Sequence, residues 1–170
     1  MRNIQISLVL PIYNEGPTLE KSIKLIISEL KKLKKTFEII FIEDKSTDKS
    51  KGTIEKFESE NTFVRAIYHK KNEGRGKSVK DGILASKGTI CGYMDVDCEV
   101  SPKYLDVFVR AIEDGYEMAI GQRFYEKKWS SVVRVAASRA YTYLVKLLLQ
   151  NPIYDTEVGF KFFNRKEITP

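Results

Sequence analysis

Short apolar runs spaced along the chain constrain its fold more than any other feature of the 170 residues. The runs are Ile6 to Ile12, Phe37 to Ile42, Phe63 to Tyr68, Thr89 to Met94, Met118 to Gly121 and Gly159 to Phe163. Each has the length of a strand buried on both faces. Between the first two, Leu19, Ile23, Ile26, Ile27, Leu30 and Leu33 recur at helical spacing, lysines fill the other face, and Pro17 stands where a helix can open. Ser46, Thr47 and Asp48 are cap-type residues ahead of a helix carrying Ile54 and Phe57. Val79, Ile83 and Leu84 mark a third helix, Pro102 opens a fourth that reaches Ile112, and Ser130 to Leu149 reads as a long fifth. This alternation predicts an α/β fold of three α/β/α layers, with a mostly parallel sheet and right-handed connections. Residues 1–170 are expected to form one domain, and Asn164 to Pro170 reads as the opening of a further element, so a C-terminal continuation is expected.

Composition narrows the partners. A net charge of +6 and a pI of about 9.2 suit an anionic ligand or surface, although a solvated lysine-rich face gives the same balance. Two cysteines, Cys91 and Cys98, make no disulfide framework and point to a reducing compartment. The single histidine, His69, excludes a His-rich zinc site and reads as a surface or loop residue. The start is polar to Ser7, and the run Leu8 to Ile12 is too short for a signal core. No stretch nears the roughly 18 apolar residues that a membrane-spanning helix needs.

Open sheets of this class bind ligands beyond the carboxyl ends of their strands. Tyr13 to Glu15, Glu43 and Asp44, Lys70 to Lys77, and Asp95 to Glu99 all fall there. Asp95-Val96-Asp97 ends an apolar run. A turn can converge its carboxylates on Mg²⁺ or Mn²⁺, hard ions that bridge to substrate phosphates, with Glu99 as a further oxygen ligand. The same acids ahead of Pro102 can instead cap a helix and meet its dipole. A calcium loop is excluded, because no third spaced Asp or turn Gly follows. Lys70 to Ser78 nearly spells a P-loop: Gly76-Lys77-Ser78 is right, but the opening glycine would fall at Lys71. A looser anion site remains, with backbone N–H groups and Lys77 or Arg75 on a diphosphate; a flexible basic loop is the plain alternative. Glu43 and Asp44 can accept from a base N–H or a ribose hydroxyl, or form a capping network with Ser46 and Thr47. The stretch Ser130 to Leu149 mixes Arg134, Arg139 and Lys146 with many apolar residues. It reads mainly as a core helix, with part of its surface suited to a bilayer or lipid tail.

Taken in order, Leu8-Val9-Leu10-Pro11-Ile12-Tyr13-Asn14-Glu15, Glu43-Asp44-Lys45-Ser46-Thr47-Asp48, Asn72-Glu73-Gly74-Arg75-Gly76-Lys77 and Asp95-Val96-Asp97 resemble the family 2 glycosyltransferases of GT-A fold. Gly121-Gln122-Arg123 and Asp155-Thr156-Glu157-Val158-Gly159-Phe160-Lys161 are similar to the dolichyl-phosphate mannose and glucose synthases within that family. The resemblance implies that Pro11, Tyr13 and Glu15 hold base and ribose, that Asp44 and the backbone of Ile42 meet the base, and that Asp95 and Val96 lie against the nucleotide. It implies Asp97 and Glu99, with Asp95, as ligands of Mg²⁺ or Mn²⁺, and Lys77 and Arg123 at the donor phosphates. Arg134 and Arg139 would hold an acceptor phosphate, and Asp155 would be a site acid or a brace for Arg123. The chain departs from the family pattern at Glu43, where Asp is usual, and at Glu99, where Gln is frequent. The implied activity is inverting transfer from a UDP- or GDP-sugar to a polyprenyl phosphate at the cytoplasmic face of a membrane. Rival readings are transfer to a glycan hydroxyl, a P-loop-like NTPase using Lys77 and Asp95, and a basic nucleic-acid-binding module. The last lacks any recognisable motif, so no nucleic-acid partner is expected.

Overall fold

The computed structural model describes residues 3–121 and 158–168. The chain divides into two compact units, Met1–Ile120 with Gly159–Pro170, and Gly121–Val158. Apart from its two end residues, the second unit lies outside the described residues, and the expected helix Ser130 to Leu149 lies there with it.

The first unit follows the alternation in the sequence. Its strands are β1 (Ile6–Ile12), β2 (Phe37–Glu43), β3 (Val64–Tyr68), β4 (Ile90–Met94), β5 (Met118–Ile120) and β6 (Phe160–Asn164). Its α-helices are α1 (Gly16–Lys32), α2 (Ser50–Glu60), α3 (Arg75–Ala85) and α4 (Leu105–Glu113), the last entered through a 3₁₀ turn at Pro102–Tyr104. The strand order is β3-β2-β1-β4-β6-β5. The pairs β1–β2, β2–β3 and β1–β4 are parallel, whereas β6 runs antiparallel to both β4 and β5. The sheet is therefore mostly parallel, as the alternation predicts.

Strand order and handedness dictate the layers. The chain steps from β1 to β2 to β3 in one direction, then crosses back to β4 on the far side of β1. Right-handed crossovers put α1 and α2 on one face and α3 on the other. Val79 and Ile83 of α3 accordingly pack on Val9, Ile40, Ile42 and Tyr93. Leu8 and Leu10 alternate to the opposite face and are equally inaccessible, so both faces of β1 are covered. On that second face Phe108 of α4 meets Phe160 edge-on at 4.5 Å and Phe162 at 5.9 Å between ring centroids. The reversal of direction between β1 and β4 opens a crevice at the carboxyl edge of the sheet.

The opposite edge is closed by a buried polar cluster. Ser7 and Glu38 are paired across β1 and β2. Glu38, only 5% exposed, accepts from the Ser7 hydroxyl at 2.5 Å, from Arg65 Nε at 2.9 Å and from Lys87 N at 2.8 Å. Arg65 also donates to the Ala85 carbonyl, and Gly88 N donates to Ser7 Oγ at 2.8 Å. This ties β1, β2, β3 and the exit of α3 together. Burial opposes ionisation of Glu38, but the donors outweigh it and hold its carboxyl below the usual range. Replacing Glu38 by Ala strands these donors, and is expected to lower unfolding free energy by about 3 kcal/mol. Urea unfolding of the variant and its parent checks this.

Candidate functional site

The loops that leave β1 and β2 are stitched together by side chains acting on backbone. Asn14 N donates to Ser46 Oγ at 3.1 Å, and Thr47 N returns a bond to Asn14 Oδ1 at 2.8 Å. Glu15 N donates to Ser50 Oγ at 2.9 Å and Gly16 N to Asp48 Oδ2 at 2.8 Å. Asn14 and Lys45 stand in the left-handed region, at φ of 57° and 64°. Asn tolerates that conformation; Lys does so at a cost on the order of 1 kcal/mol, which the stitching offsets. Glu43 accepts from Ser46 N at 2.5 Å, so it supplies the capping contact that was one of its two readings.

Asp44, 2% exposed, does something the sequence did not indicate. Its Oδ1 accepts from Glu73 N at 2.8 Å and lies 2.7 Å from His69 Nδ1; its Oδ2 accepts from Gly74 N at 2.8 Å. The carboxylate thus pins the turn that starts α3. His69 stands in the loop after β3, one of its two expected readings, but it is not on the surface: its side chain is 9% exposed, and its Nε2 lies 3.2 Å from Asp81 Oδ2. Only a ring protonated on both nitrogens can donate to both carboxylates. Asp81 in turn holds the Lys77 ammonium one helical turn back. Burial disfavours the Asp44 anion, but the Glu73 N–H, His69 and the Gly74 N–H outweigh it and hold the carboxyl below its usual range.

Past β4, Asp95 Oδ2 accepts from Arg75 Nη1 at 3.0 Å and Asp97 Oδ1 accepts from Glu99 N at 3.0 Å. The cap at Pro102 is made by Ser101, whose hydroxyl accepts from Lys103 N at 3.4 Å, so capping of that turn falls to Ser101 and not to the aspartates. Glu15 faces these acids across the crevice. Burial first, and then the charges of Asp97, Asp95 and Asp48, raise its carboxyl pKa.

Together these loops enclose a cleft of about 500 Å³ lined by Pro11, Ile12, Tyr13, Glu15, Asp44, Asn72, Gly74, Arg75, Ser78, Asp95, Val96 and Asp97. Of the residues expected from the sequence, Pro11, Tyr13, Glu15, Asp44, Asp95, Val96 and Asp97 share this cleft. Ile42 does not line it; its side chain is buried in the core beneath α3. Lys77 is engaged by Asp81 and also lies outside the lining, a contact legible as a Lys–Asp pair four residues apart. Glu99 is exposed beside Asp97 but is not part of the lining. Among the described residues no group of three His, Cys, Asp or Glu side chains converges as a metal site. Arg123, Arg134, Arg139 and Asp155 lie outside the described residues.

A family profile for glycosyl transferase family 2 matches residues 7–168. Glycosyltransferase AglD of Haloferax volcanii is 29% identical over 168 residues, an overlap covering 96% of this chain and 27% of that protein. The dolichyl-phosphate beta-glucosyltransferase of Dictyostelium discoideum is 31% identical over 182 residues, covering 96% of this chain and 55% of that protein. The chain therefore spans between about a quarter and about half of these relatives. Among solved structures, the mannosyltransferase PcManGT from Pyrobaculum calidifontis, in complex with GDP-Man and Mn²⁺, is similar with a TM-score of 0.67 at 18% identity. That match covers 98% of this chain and 46% of the other, and it shows the shared fold.

The His69 bridge gives a stability test with a defined sign. Because the folded-state pKa of Asp44 is depressed, its contribution is present above the unfolded value, about 4, and is lost as pH falls through the folded value. His69→Leu removes part of that depression. The variant is expected to lose about 2 kcal/mol near neutral pH, and its remaining acid-dependent loss, which starts near the unfolded value in both proteins, is expected to be smaller and to end at higher pH than in the parent. Urea unfolding between about pH 7 and about pH 3 checks both.

Proposed function

The chain belongs to glycosyl transferase family 2, and from that membership we propose that it carries the donor site of a metal-dependent, inverting enzyme that moves a sugar from a UDP- or GDP-sugar to a polyprenyl phosphate. One observation carries the reading. A single cleft at the carboxyl edge joins the aromatic Tyr13 and buried Asp44 at one end to the acids Asp95 and Asp97 at the other, with the start of α3 between them.

In this reading Pro11, Tyr13, Glu15 and Asp44 form the nucleoside half of the cleft, and Ile42 contributes backbone only. Asp95, Val96 and Arg75 lie at the diphosphate, where backbone N–H groups at the start of α3 and a guanidinium favour an anion. Lys77 is held by Asp81 and takes no direct part at the anion in this reading. The donor set fits a divalent ion: Asp95 and Asp97 offer hard oxygens, and the raised Glu15 pKa marks negative charge that a cation would offset. Magnesium sites of this kind take one or two carboxylates and complete their shell from substrate phosphates, which agrees with the lack of a converged three-residue cluster among the described residues. Asp97, with Asp95 and Glu99 beside it, would hold Mg²⁺ or Mn²⁺, and the ion would neutralise the departing diphosphate. The Mn²⁺ in the PcManGT complex supports this choice.

The acceptor follows from chemistry and from the dolichyl-phosphate relative. A lipid phosphate is already anionic near neutral pH, so it needs positioning and no deprotonation. A single displacement by that anion inverts the sugar carbon and requires no protein nucleophile. Arg123, Arg134 and Arg139 would position the phosphates, with Asp155 as a site acid or a brace for Arg123. No helix among the described residues is long and apolar enough to cross a membrane. A lipid-linked acceptor brings the enzyme to a membrane surface, on the cytoplasmic side in this reading.

Asp97→Ala is expected to lose metal-dependent UDP or GDP binding by about a hundredfold in calorimetry, with an unchanged far-UV spectrum. Full activity of that variant with Mg²⁺ after chelator treatment overturns the metal assignment. Arg134→Lys is expected to lose about tenfold or more in transfer to a short polyprenyl phosphate, because the paired guanidinium contact is lost while the charge is kept. Transfer to a sugar hydroxyl but never to the lipid phosphate reassigns the acceptor.

A further inference from the structure

Glycine recurs where the sheet is tightest, but for different reasons. A Cβ on Gly82 would lie 2.2 Å from Val9 Cγ1, one on Gly88 2.6 Å from Ser7 N, and one on Gly92 2.5 Å from the Phe162 ring. These are contacts of the core and sheet. Gly159, at the entrance to β6, is different. A Cβ there would lie 1.7 Å from Asp95 Oδ2, 2.1 Å from Asp95 Cγ and 2.6 Å from Asp95 Oδ1. Its nearest neighbours are thus all atoms of one cleft carboxylate. Its backbone is not left-handed, unlike that of Gly74 and Gly115, so conformational freedom does not explain the glycine.

The same pair is joined through the backbone. Asp95 N donates to the Gly159 carbonyl at 2.8 Å. This bond extends the β4–β6 ladder past the Met94–Phe160 pair and fixes where the Asp95 Cα stands. The carboxylate then lies along the bare Cα of Gly159 and meets Arg75 Nη1 at 3.0 Å. Asp95 is therefore held at its main chain by Gly159, admitted at its side chain by the missing Cβ, and met on its outer side by Arg75.

We propose that Gly159 is a positioning residue for donor binding, and that its lack of a side chain sets the direction in which the Asp95 carboxylate enters the cleft. The proposal rests on the reading of the cleft as a sugar-nucleotide site. Gly159 touches no substrate in this scheme; it acts through Asp95. Any side chain at position 159 turns the carboxylate away from Arg75 and changes the charge presented to a diphosphate and its cation.

A double-mutant cycle over Gly159→Ala and Asp95→Ala separates this role from simple packing. Gly159→Ala is expected to keep the parent far-UV spectrum and to weaken UDP or GDP binding with Mn²⁺ by about tenfold, measured by calorimetry. In the Asp95→Ala background the same change is expected to alter affinity by less than about twofold. Thermal midpoints of the four proteins, taken without ligand, form a second cycle. Gly159→Ala lowers the midpoint of the parent, and has a much smaller effect once Asp95 is truncated. Equal midpoint losses in both backgrounds, or parent-like nucleotide affinity in Gly159→Ala, overturn the proposal. Failure of the parent to bind any nucleoside diphosphate instead removes the donor reading, and the thermal cycle alone then decides whether Gly159 governs Asp95.

Discussion

The buried carboxylate of Asp44 holds the functional edge together. An anion removed from water is costly unless donors replace its hydration. Here the replacements are two backbone N–H groups, from Glu73 and Gly74, and the His69 ring. Each comes from a different part of the chain than Asp44 itself. Neutralising the charge therefore also sets where α3 begins and which way Arg75 leaves it. Asp81 and Lys77 extend the arrangement along α3, so that acid and base alternate from the floor of the cleft to the helix surface.

The two ends of the sheet use buried charge differently. At the amino edge Glu38 is enclosed by Ser7, Arg65 and Lys87 and joins strands that must never separate. At the carboxyl edge Glu15 faces Asp95 and Asp97 and is raised in pKa by burial and then by their charges, while Arg75 meets Asp95. The acids of the carboxyl edge thus stay close to one another at the cleft, while the buried acid of the amino edge is enclosed by donors.

The strands were legible because a sheet covered on both faces makes short, mostly apolar segments, even where Glu38, Arg65 or Lys161 interrupts them. Ile6 to Ile12 coincides with β1, and Pro17 and Pro102 both stand at the openings of helical segments. The gathering of Tyr13, Glu15, Asp44, Asp95 and Asp97 into one cleft was legible for a related reason, since each follows a strand end. The antiparallel direction of β6 was not, because an apolar run carries no sign of direction. The burial of His69 in its loop was not legible, because its partners, Asp44 and Asp81, are 25 and 12 residues away and nothing local to a lone histidine reveals them. The role of Gly159 was hidden likewise: the carboxylate that forbids its Cβ belongs to a distant strand end.

The insertion of β6 between β4 and β5 has a consequence for the order in which this protein can assemble. Strands β1 to β4 and the helices between them are contiguous in sequence, and their parallel ladder can form as soon as Met94 is available. Strand β5 cannot join them on its own, since its neighbour is β6, which the chain reaches only at Phe160. During synthesis the edge of β4 and the whole of β5 must wait, unpaired, while residues 121–158 are made. Such a pause leaves an open strand edge beside an apolar core, the kind of surface on which growing chains pair wrongly. Strand β6 closes that edge and, through Gly159, completes the surroundings of Asp95. Closure of the β4 edge and the placing of Asp95 thus depend on the same late strand.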